Sequence, residues 1–391
     1  MRVLCLFQTF DFSSSTIYLD LVEALRDGGH DVWVAAGTSK KELEGKTEEI
    51  RGVHAVYVFI PDQFRTDRIR KGLIQLTIGQ RMYRSLKGTL SEEKFDIIVY
   101  PTPPVTLGGL VKKLKTLTGA GSYLMLKDIF PQNAVDLKMM RENGLLHRYF
   151  RKREKELYAA SDRIGCMSAA NVEYMKAHNP ETADRLEIFP NTVRLKPLSE
   201  REGGKGRAPV KFVFGGNLGV PQSIDFLLEC IEGLGDYKEA VFEIYGEGTQ
   251  REKVEEFVFK KRPENLRFVP SLPREEYEKK LMEADVGIVA LSPDFTIPNY
   301  PSRILSYMQM AKPVLALTDP VTDIHALVTY EARCGWWCPS DDVGTVVETV
   351  KKICSERESI PELGKNGRMY LEENFDVKKS VELLERFAAE K

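Results

Sequence analysis

Short runs of consecutive apolar residues alternate along this chain with longer stretches whose apolar positions recur every three or four residues. The runs are Arg2–Phe7, Asp31–Ala36, Val53–Ile60, Asp96–Tyr100, Ser122–Leu126, Arg163–Met167 and Leu186–Phe189 in the first half. In the second half they are Val210–Phe214, Val241–Tyr245, Leu266–Val269, Val286–Leu291 and Pro313–Leu317. They lack the regular alternation of a strand with one wet face, so they predict parallel strands covered on both sides by helices. Thr16–Asp27 shows the helical pattern, with Ile17, Leu21 and Leu25 spaced by four, Ser15 as the expected N-cap and Gly28-Gly29 as the stop. Val377–Ala388 shows it again, with Val381, Leu384 and Phe387 on one side. Between the halves, Lys196–Pro209 contains Glu202-Gly203-Gly204-Lys205-Gly206-Arg207, which marks a linker or exposed loop. The pattern predicts an α/β chain of two Rossmann-like domains joined near residue 200. Two such domains facing across a cleft would gather the carboxyl ends of their strands, where open α/β sheets bind ligands. The fold alone leaves the chemistry open.

Composition narrows the picture. The chain has 391 residues, 42% of them hydrophobic and 29% charged, as in an ordinary globular protein. A formal net charge of -2 gives no support to a nucleic-acid binder. The balance is uneven: residues 1–200 carry a net +5 and residues 201–391 a net -7, which turns the first half toward something anionic. Six scattered cysteines form no disulfide framework. The close pair Cys334 and Cys338 lacks the further ligands of a zinc site, so no metal or cofactor is expected. No apolar run approaches the roughly 18 residues of a membrane span, and Met1–Phe7 is too short for a signal-peptide core. The expected location is cytoplasmic, or peripheral on the inner face of the cell membrane.

Three segments could carry chemistry in the second half. Phe214-Gly215-Gly216-Asn217-Leu218-Gly219-Val220-Pro221-Gln222-Ser223 reads as a strand, a Gly-rich turn and a helix start, where backbone N–H groups can meet a phosphate. It is neither a Walker loop nor a full dinucleotide fingerprint, and a tight turn without a ligand explains it as well. Tyr245-Gly246-Glu247-Gly248 ends the next strand with a second Gly turn. In Asn299-Tyr300-Pro301-Ser302-Arg303-Ile304-Leu305-Ser306, Pro301 or Ser302 opens a helix and Arg303 sits in its first turn. A cation there opposes the helix dipole by about a few tenths of a kcal/mol, a penalty offset if the guanidinium shares an anion with the turn; a solvated Arg is the plainer alternative.

In the first half, Asp128 and Lys127 follow a strand, where Asp128 could carry chemistry or act as an N-cap. Basic residues cluster at Arg65, Arg68, Arg70, Lys71, Arg81, Arg84 and Lys87, among apolar Leu73, Ile74, Leu76, Ile78 and Met82. A second cluster is Arg148, Arg151, Lys152, Arg153 and Lys155. Such helices suit an anionic membrane or a lipid pyrophosphate, or are simply solvated. The five His show no metal spacing, His30 reads as structural, and Trp336-Trp337 reads as core packing, with stacking on a ligand as the alternative.

Ala284-Asp285-Val286, Gly287-Ile288-Val289, Lys312-Pro313-Val314-Leu315, the Gly-Asn-Leu-Gly turn with Gln222, Lys127-Asp128-Ile129-Phe130-Pro131 and Pro190-Asn191 together resemble a known family. Across nearly its whole length the chain resembles retaining glycosyltransferases of the GT-B fold, family 4, in the branch that builds bacterial polysaccharides and O-antigens. The resemblance implies an N-terminal acceptor domain over 1–195 and a C-terminal donor domain over 196–374. The helix of about 375–391 is expected to pack back on the first domain.

The donor implied is a nucleotide-sugar, most often a UDP-sugar. Gly216, Asn217 and Gly219 would line its diphosphate, with Gly246 beside them and Arg303 and Ser302 opposite. Ser271 and Leu272 would lie near the base, Asn299 and Tyr300 would approach the sugar or β-phosphate, and Ser306 would reach the ribose. Asp128 and Lys127 would be catalytic, and Ser13, Ser14 and Ser15 would lie on the acceptor side.

The departures are specific. Two Glu that the family spaces seven residues apart are replaced by Pro298 and Ser306, the Arg and Lys of the Gly-rich turn by Asn217 and Gln222, and the N-terminal Gly-Gly loop by Ser13-Ser14-Ser15. The expected activity is transfer of a sugar to a saccharide or polyprenyl-pyrophosphate-linked acceptor in surface polysaccharide assembly, with preorganised charge rather than a metal stabilising the leaving group. A non-catalytic sugar-nucleotide-binding protein and a sugar-nucleotide epimerase remain as alternatives.

Overall fold

A computed structural model describes residues 1–13, 16–61, 68–198, 208–270 and 272–391. Its contacts divide the chain into two units, Met1–Arg194 with Asp376–Lys391, and Leu195–Phe375.

The first unit runs β1 (Arg2–Phe7), α1 (Ile17–Asp27), β2 (Asp31–Thr38), β3 (Thr47–Ile50), β4 (Val53–Phe59), α2 (Arg68–Thr89), β5 (Ile97–Pro101) and α3 (Gly108–Thr118). It continues through β6 (Gly121–Leu126), α4 (Gln132–Asp136), α5 (Leu145–Ala160), β7 (Arg163–Cys166), α6 (Ala169–His178) and β8 (Leu186–Ile188). The strands lie in the order β3-β4-β2-β1-β5-β6-β7-β8. All pairings are parallel except β3 with β4. That exception corrects the all-parallel expectation: Thr47-Glu48-Glu49-Ile50 is polar and exposed, an edge strand that an apolar-run criterion passes over. β1, β5 and β6 are apolar and almost wholly buried, as strands covered on both faces must be.

Helix α1 is capped by Thr16, whose hydroxyl accepts from the Leu19 N–H at 3.2 Å, so the cap is not the expected Ser15. Gly28 and then Gly29, at φ 79°, end the helix. Ser14 and Ser15 lie outside the described residues.

The second unit runs β9 (Val210–Gly215), α7 (Ile224–Gly233), β10 (Ala240–Tyr245), α8 (Arg251–Lys261), β11 (Leu266–Val269), α9 (Arg274–Glu283) and β12 (Val286–Ala290). It ends with α10 (Arg303–Gln309), β13 (Val314–Thr318), α11 (Ile324–Ala326), β14 (Gly335–Pro339), α12 (Val343–Ser355) and α13 (Ile360–Asn374). Its strands are all parallel, in the order β11-β10-β9-β12-β13-β14. β14 holds the Trp pair: Trp337 donates from Nε1 to Thr318 Oγ1 at 2.9 Å and stacks on His325. Lys196 already belongs to this unit, with its ammonium on Glu278 and its carbonyl on Arg368. The rest of the expected linker, 199–207, lies outside the described residues.

The last helix, α14 (Val377–Ala389), is part of the first unit. Val377, Val381, Leu384 and Phe387 are buried in its core together with α1 and β1, β2, β5 and β6 residues. Gly121 leaves room for the Phe387 ring, which a Cβ there would approach at 3.2 Å. Thr192 and Ser380 hydroxyls bond at 2.8 Å, and Arg386 pairs with Glu187. His30 meets the Glu385 carboxylate and the chain's amino group, a structural task.

Candidate functional site

In the second unit the end of β9 runs into a backbone turn stacked on the turn that follows β10. Gly216 donates to the Tyr245 carbonyl at 2.9 Å, Leu218 to Glu247 at 2.8 Å, and Gln250 to Leu218 at 2.8 Å. The glycines make that stacking feasible. A Cβ on Gly246 would fall 1.9 Å from the Gly216 carbonyl oxygen, and one on Gly248 would fall 2.3 Å from that of Leu218. Gly246 is buried under the turn, so it supports the loop rather than lining its open face.

Gly216, at φ 118°, and Asn217 are exposed. The Gly219 N–H is already bonded to Gln222 Oε1 at 3.1 Å, and the Asn217 amide donates to the same oxygen. A 3-10 turn, Val220–Gln222, intervenes before α7, so the helix begins later than the Gly turn suggested.

Arg303 reaches this turn from the first residue of α10. Its guanidinium carbon lies 4.4 Å from the centre of the Phe214 ring, a cation–π contact of about 0.5–2 kcal/mol. Nη2 donates to the Asn217 carbonyl at 3.4 Å, while Nη1 is buried with no hydrogen-bond partner. No carboxylate pairs with it among the described residues, and burial holds its pKa below the ordinary arginine value. Two tyrosines that sequence reasoning missed pack on the strands beneath this turn. Tyr307 donates to the Ile288 carbonyl at 3.0 Å and accepts from the Gly215 N–H, with its ring against Gly287, where a Cβ would come within 2.3 Å. The Tyr277 hydroxyl fills the space over Gly215, 2.0 Å from where a Cβ would stand. A glycine inside each of two central strands was the legible trace, since it marks a close approach.

The other expected donor residues scatter more widely. Ser302 precedes α10 without a side-chain capping bond and is exposed, and Ser306 is exposed one turn further on. The Asn299 carbonyl accepts from the Thr322 hydroxyl, and the Tyr300 ring is buried against Phe375. Leu272 lines a separate cavity of about 280 Å³ with Tyr245, Arg267 and Val269. Ser271 lies outside the described residues.

In the first unit the chain turns sharply after β6 around Thr102, which is itself buried. Its hydroxyl accepts from the N–H groups of Lys127 at 2.9 Å and Asp128 at 3.0 Å and donates to the Asp128 carbonyl. Lys127 directs its ammonium at the carbonyls of Phe189 and Pro190, 3.4 and 3.3 Å away, so it ties this turn to the end of β8. Burial pulls Lys127 down to about 7 and pushes the Asp128 carboxyl up to about 7. Among the described residues that carboxyl has no hydrogen-bond partner.

Ser13 bonds Asp11 through both its N–H and its hydroxyl at 2.8 Å. It lines a cavity of about 680 Å³ at the ends of β1, β2 and β4, with Phe10, Phe12, Lys40, Arg51 and Tyr57. Cys334 and Cys338 are buried free thiols. Among the described residues no three His, Cys, Asp or Glu side chains are grouped to hold a metal ion.

A family model, Glycosyltransferase Family 4, matches residues 14–196. A Pseudomonas aeruginosa protein named "Probable glycosyltransferase WbjE" is 26% identical over 330 residues, which cover 82% of this chain and 80% of that one. The sucrose-phosphate synthase of Thermosynechococcus elongatus superposes over all of both chains with a TM-score of 0.80 at 14% identity. Anabaena Alr3699/HepE, solved with UDP-glucose, does so with a TM-score of 0.70 at 13% identity. Two sheets of this order and these neighbours define the GT-B architecture. The chain is a glycosyltransferase, and its residues 14–196 match the family 4 model.

Proposed function

We propose that the chain transfers a sugar from a UDP-sugar to a saccharide or polyprenyl-pyrophosphate-linked acceptor in bacterial surface polysaccharide assembly, with retention at the anomeric carbon and no metal. The observation that carries the donor assignment is the Arg303 guanidinium beside the Gly216–Asn217 turn, with a buried Nη1 and no carboxylate partner. An arginine stays protonated at any working pH, so burial without an anion leaves a fixed positive field that a diphosphate would satisfy. The attraction to that field grows as charge builds on the departing UDP, which favours the transition state over the bound donor. The HepE complex with UDP-glucose supports the choice of nucleotide.

In the transfer the bond between the anomeric carbon and the β-phosphate oxygen breaks. A bond to the acceptor oxygen forms on the same face, and the acceptor proton leaves to the phosphate or to Asp128. With its carboxyl near neutrality, Asp128 suits holding or taking that proton. Lys127 acts through the backbone as a positioning residue. Ser306 offers a hydroxyl where the family has a carboxylate, a weaker hold on a ribose.

The test is thermal stabilisation by UDP, GDP, ADP and CMP, followed by release of UDP from UDP-sugars. At about 100 times its dissociation constant a ligand adds about 2.7 kcal/mol. The midpoint should therefore rise by several degrees with UDP and little with the others. No shift with UDP would overturn the donor assignment.

A further inference from the structure

Large aliphatic side chains are unusually exposed in one region of the first unit. Met139 is 70% exposed, Leu145 82% and Leu146 57%, all within eight residues of chain at the α4–α5 loop and the start of α5. Soluble surfaces seldom leave such a group together without a partner. Leu145 begins an exposed stripe along α5 that continues through Arg148, Lys152 and Lys155, at helical spacing. Helix α5 packs on α3, and α3 on α2. A Cβ on Gly108 of α3 would meet the α5 backbone at 2.9 Å, so the two helices are in close contact. The neighbours extend the pattern: α3 exposes Lys112 and Lys113, and α2 exposes Leu76, Arg84 and Lys87.

Much of the exposed charge on this helical layer is not neutralised, although Lys115 of α3 pairs with Asp162. The sequences of α2 and α3 hold nine Lys and Arg and no Asp or Glu. In α5, Glu154 pairs with Arg151 and Glu156 with Arg153, which leaves the outer stripe alone. Among the described residues Arg84, Lys87, Lys112, Lys113, Arg148, Lys152 and Lys155 make no salt bridge. A hollow of about 330 Å³ opens between the three helices, with Lys113 over the Tyr83 ring and Arg153 over the Tyr149 ring at its walls.

The second unit supplies the contrast. Its most exposed large apolar residue, Phe259, stands beside Lys260 and Lys261, and both of these are paired, with Glu256 and Glu232.

We infer that the α2–α3–α5 layer of the first unit, with the Met139–Leu146 segment, is a docking surface for an anionic lipid bilayer. Met139, Leu145 and Leu146 would enter the acyl boundary while the unpaired cations face the headgroups, as for an interfacial amphipathic element. No described helix is long and apolar enough to cross a membrane, so this contact is peripheral. A nucleic acid would want exposed aromatic faces for stacking, and the two aromatic rings here are covered by cations. The inference deepens the proposed function and rests on it for its purpose, since a polyprenyl-linked acceptor lives in the bilayer.

The experiment is sedimentation of the full chain with vesicles of phosphatidylcholine alone and with about 30% phosphatidylglycerol added. Leu145→Ser/Leu146→Ser, Arg148→Glu/Lys152→Glu/Lys155→Glu and, as a control, Phe259→Ser are compared with the wild type. Binding should favour the anionic vesicles by about tenfold or more and weaken with salt. Each of the first two variants should lose about tenfold or more, while Phe259→Ser stays within about twofold. Equal binding to both vesicles, no binding to either, or wild-type binding by both test variants would overturn the inference. All substituted positions are exposed, and an unchanged thermal midpoint confirms folding. UDP stabilisation is read on the same samples. Loss of that signal with vesicle binding intact would sink the donor reading and leave the docking surface standing.

Discussion

Arg303 and Asp128 each stand beside the carboxyl end of a central parallel strand, and burial acts on both, with opposite consequences. A guanidinium cannot shed its proton in a protein, so burial leaves Arg303 charged and lacking an anion. A carboxyl group can take up a proton, and burial moves Asp128 to about 7, where it exchanges one near neutral pH. One unit therefore holds a fixed charge and the other a titrating one. A fixed charge suits a ligand that arrives as a diphosphate, and a titrating group suits a substrate hydroxyl. Burial displaces Lys127 about as far as Asp128, but its ammonium rests on two main-chain carbonyls, so its task is a structural tie.

The difference can be broken most severely at Arg303. Arg303→Gln removes the charge while keeping a donor, and two charge-assisted hydrogen bonds of about 1.5–3 kcal/mol each would weaken. Turnover of UDP-sugar should fall by about 100-fold or more, measured as UDP release. Next comes the packing that aims Arg303. Gly287→Ala would drive a methyl group into the Tyr307 ring. A loss of about 1–3 kcal/mol in unfolding free energy is expected, read by urea denaturation.

A third break lies in the pH response of Asp128. Its pKa is higher folded, about 7, than the ordinary 3.8, so across that window the folded chain keeps a proton that the unfolded chain releases. Stability from this group therefore falls as pH rises from about 4 to about 7. Asp128→Asn should be more stable than the wild type at pH 8, with the gap closing toward pH 4, by thermal melts. Lys127 acts in the opposite sense and above that window, between about 7 and its ordinary 10.5, where stability rises with pH.

The strand pattern was legible because buried parallel strands must be apolar runs, and β1, β6 and β11 lie where those runs put them. β3 escaped because an exposed edge strand needs no apolar face, and β14 because its Trp pair reads equally well as core. At the site, the Gly-rich turn and Arg303 stood out individually. Their contact involves Phe214, under the guanidinium, and Tyr277 and Tyr307, which lie elsewhere in the chain and fill the space above Gly215 and Gly287. No spacing rule encodes that. The engagement of Gly219 by Gln222 was hidden for the same reason, since a side chain competing for a backbone N–H shows only in three dimensions. Exposure of Met139, Leu145 and Leu146 likewise became visible only once the helices were packed.

The central claim is that Arg303 and its turn hold a diphosphate. Calorimetric titration of UDP and of uridine into the wild type and Arg303→Gln tests it most directly, because uridine carries the base and ribose without the charge. The wild type should bind UDP about 100-fold or more tightly than uridine, and Arg303→Gln should lose most of that margin while keeping its affinity for uridine. Equal UDP affinity in the two proteins would contradict the account.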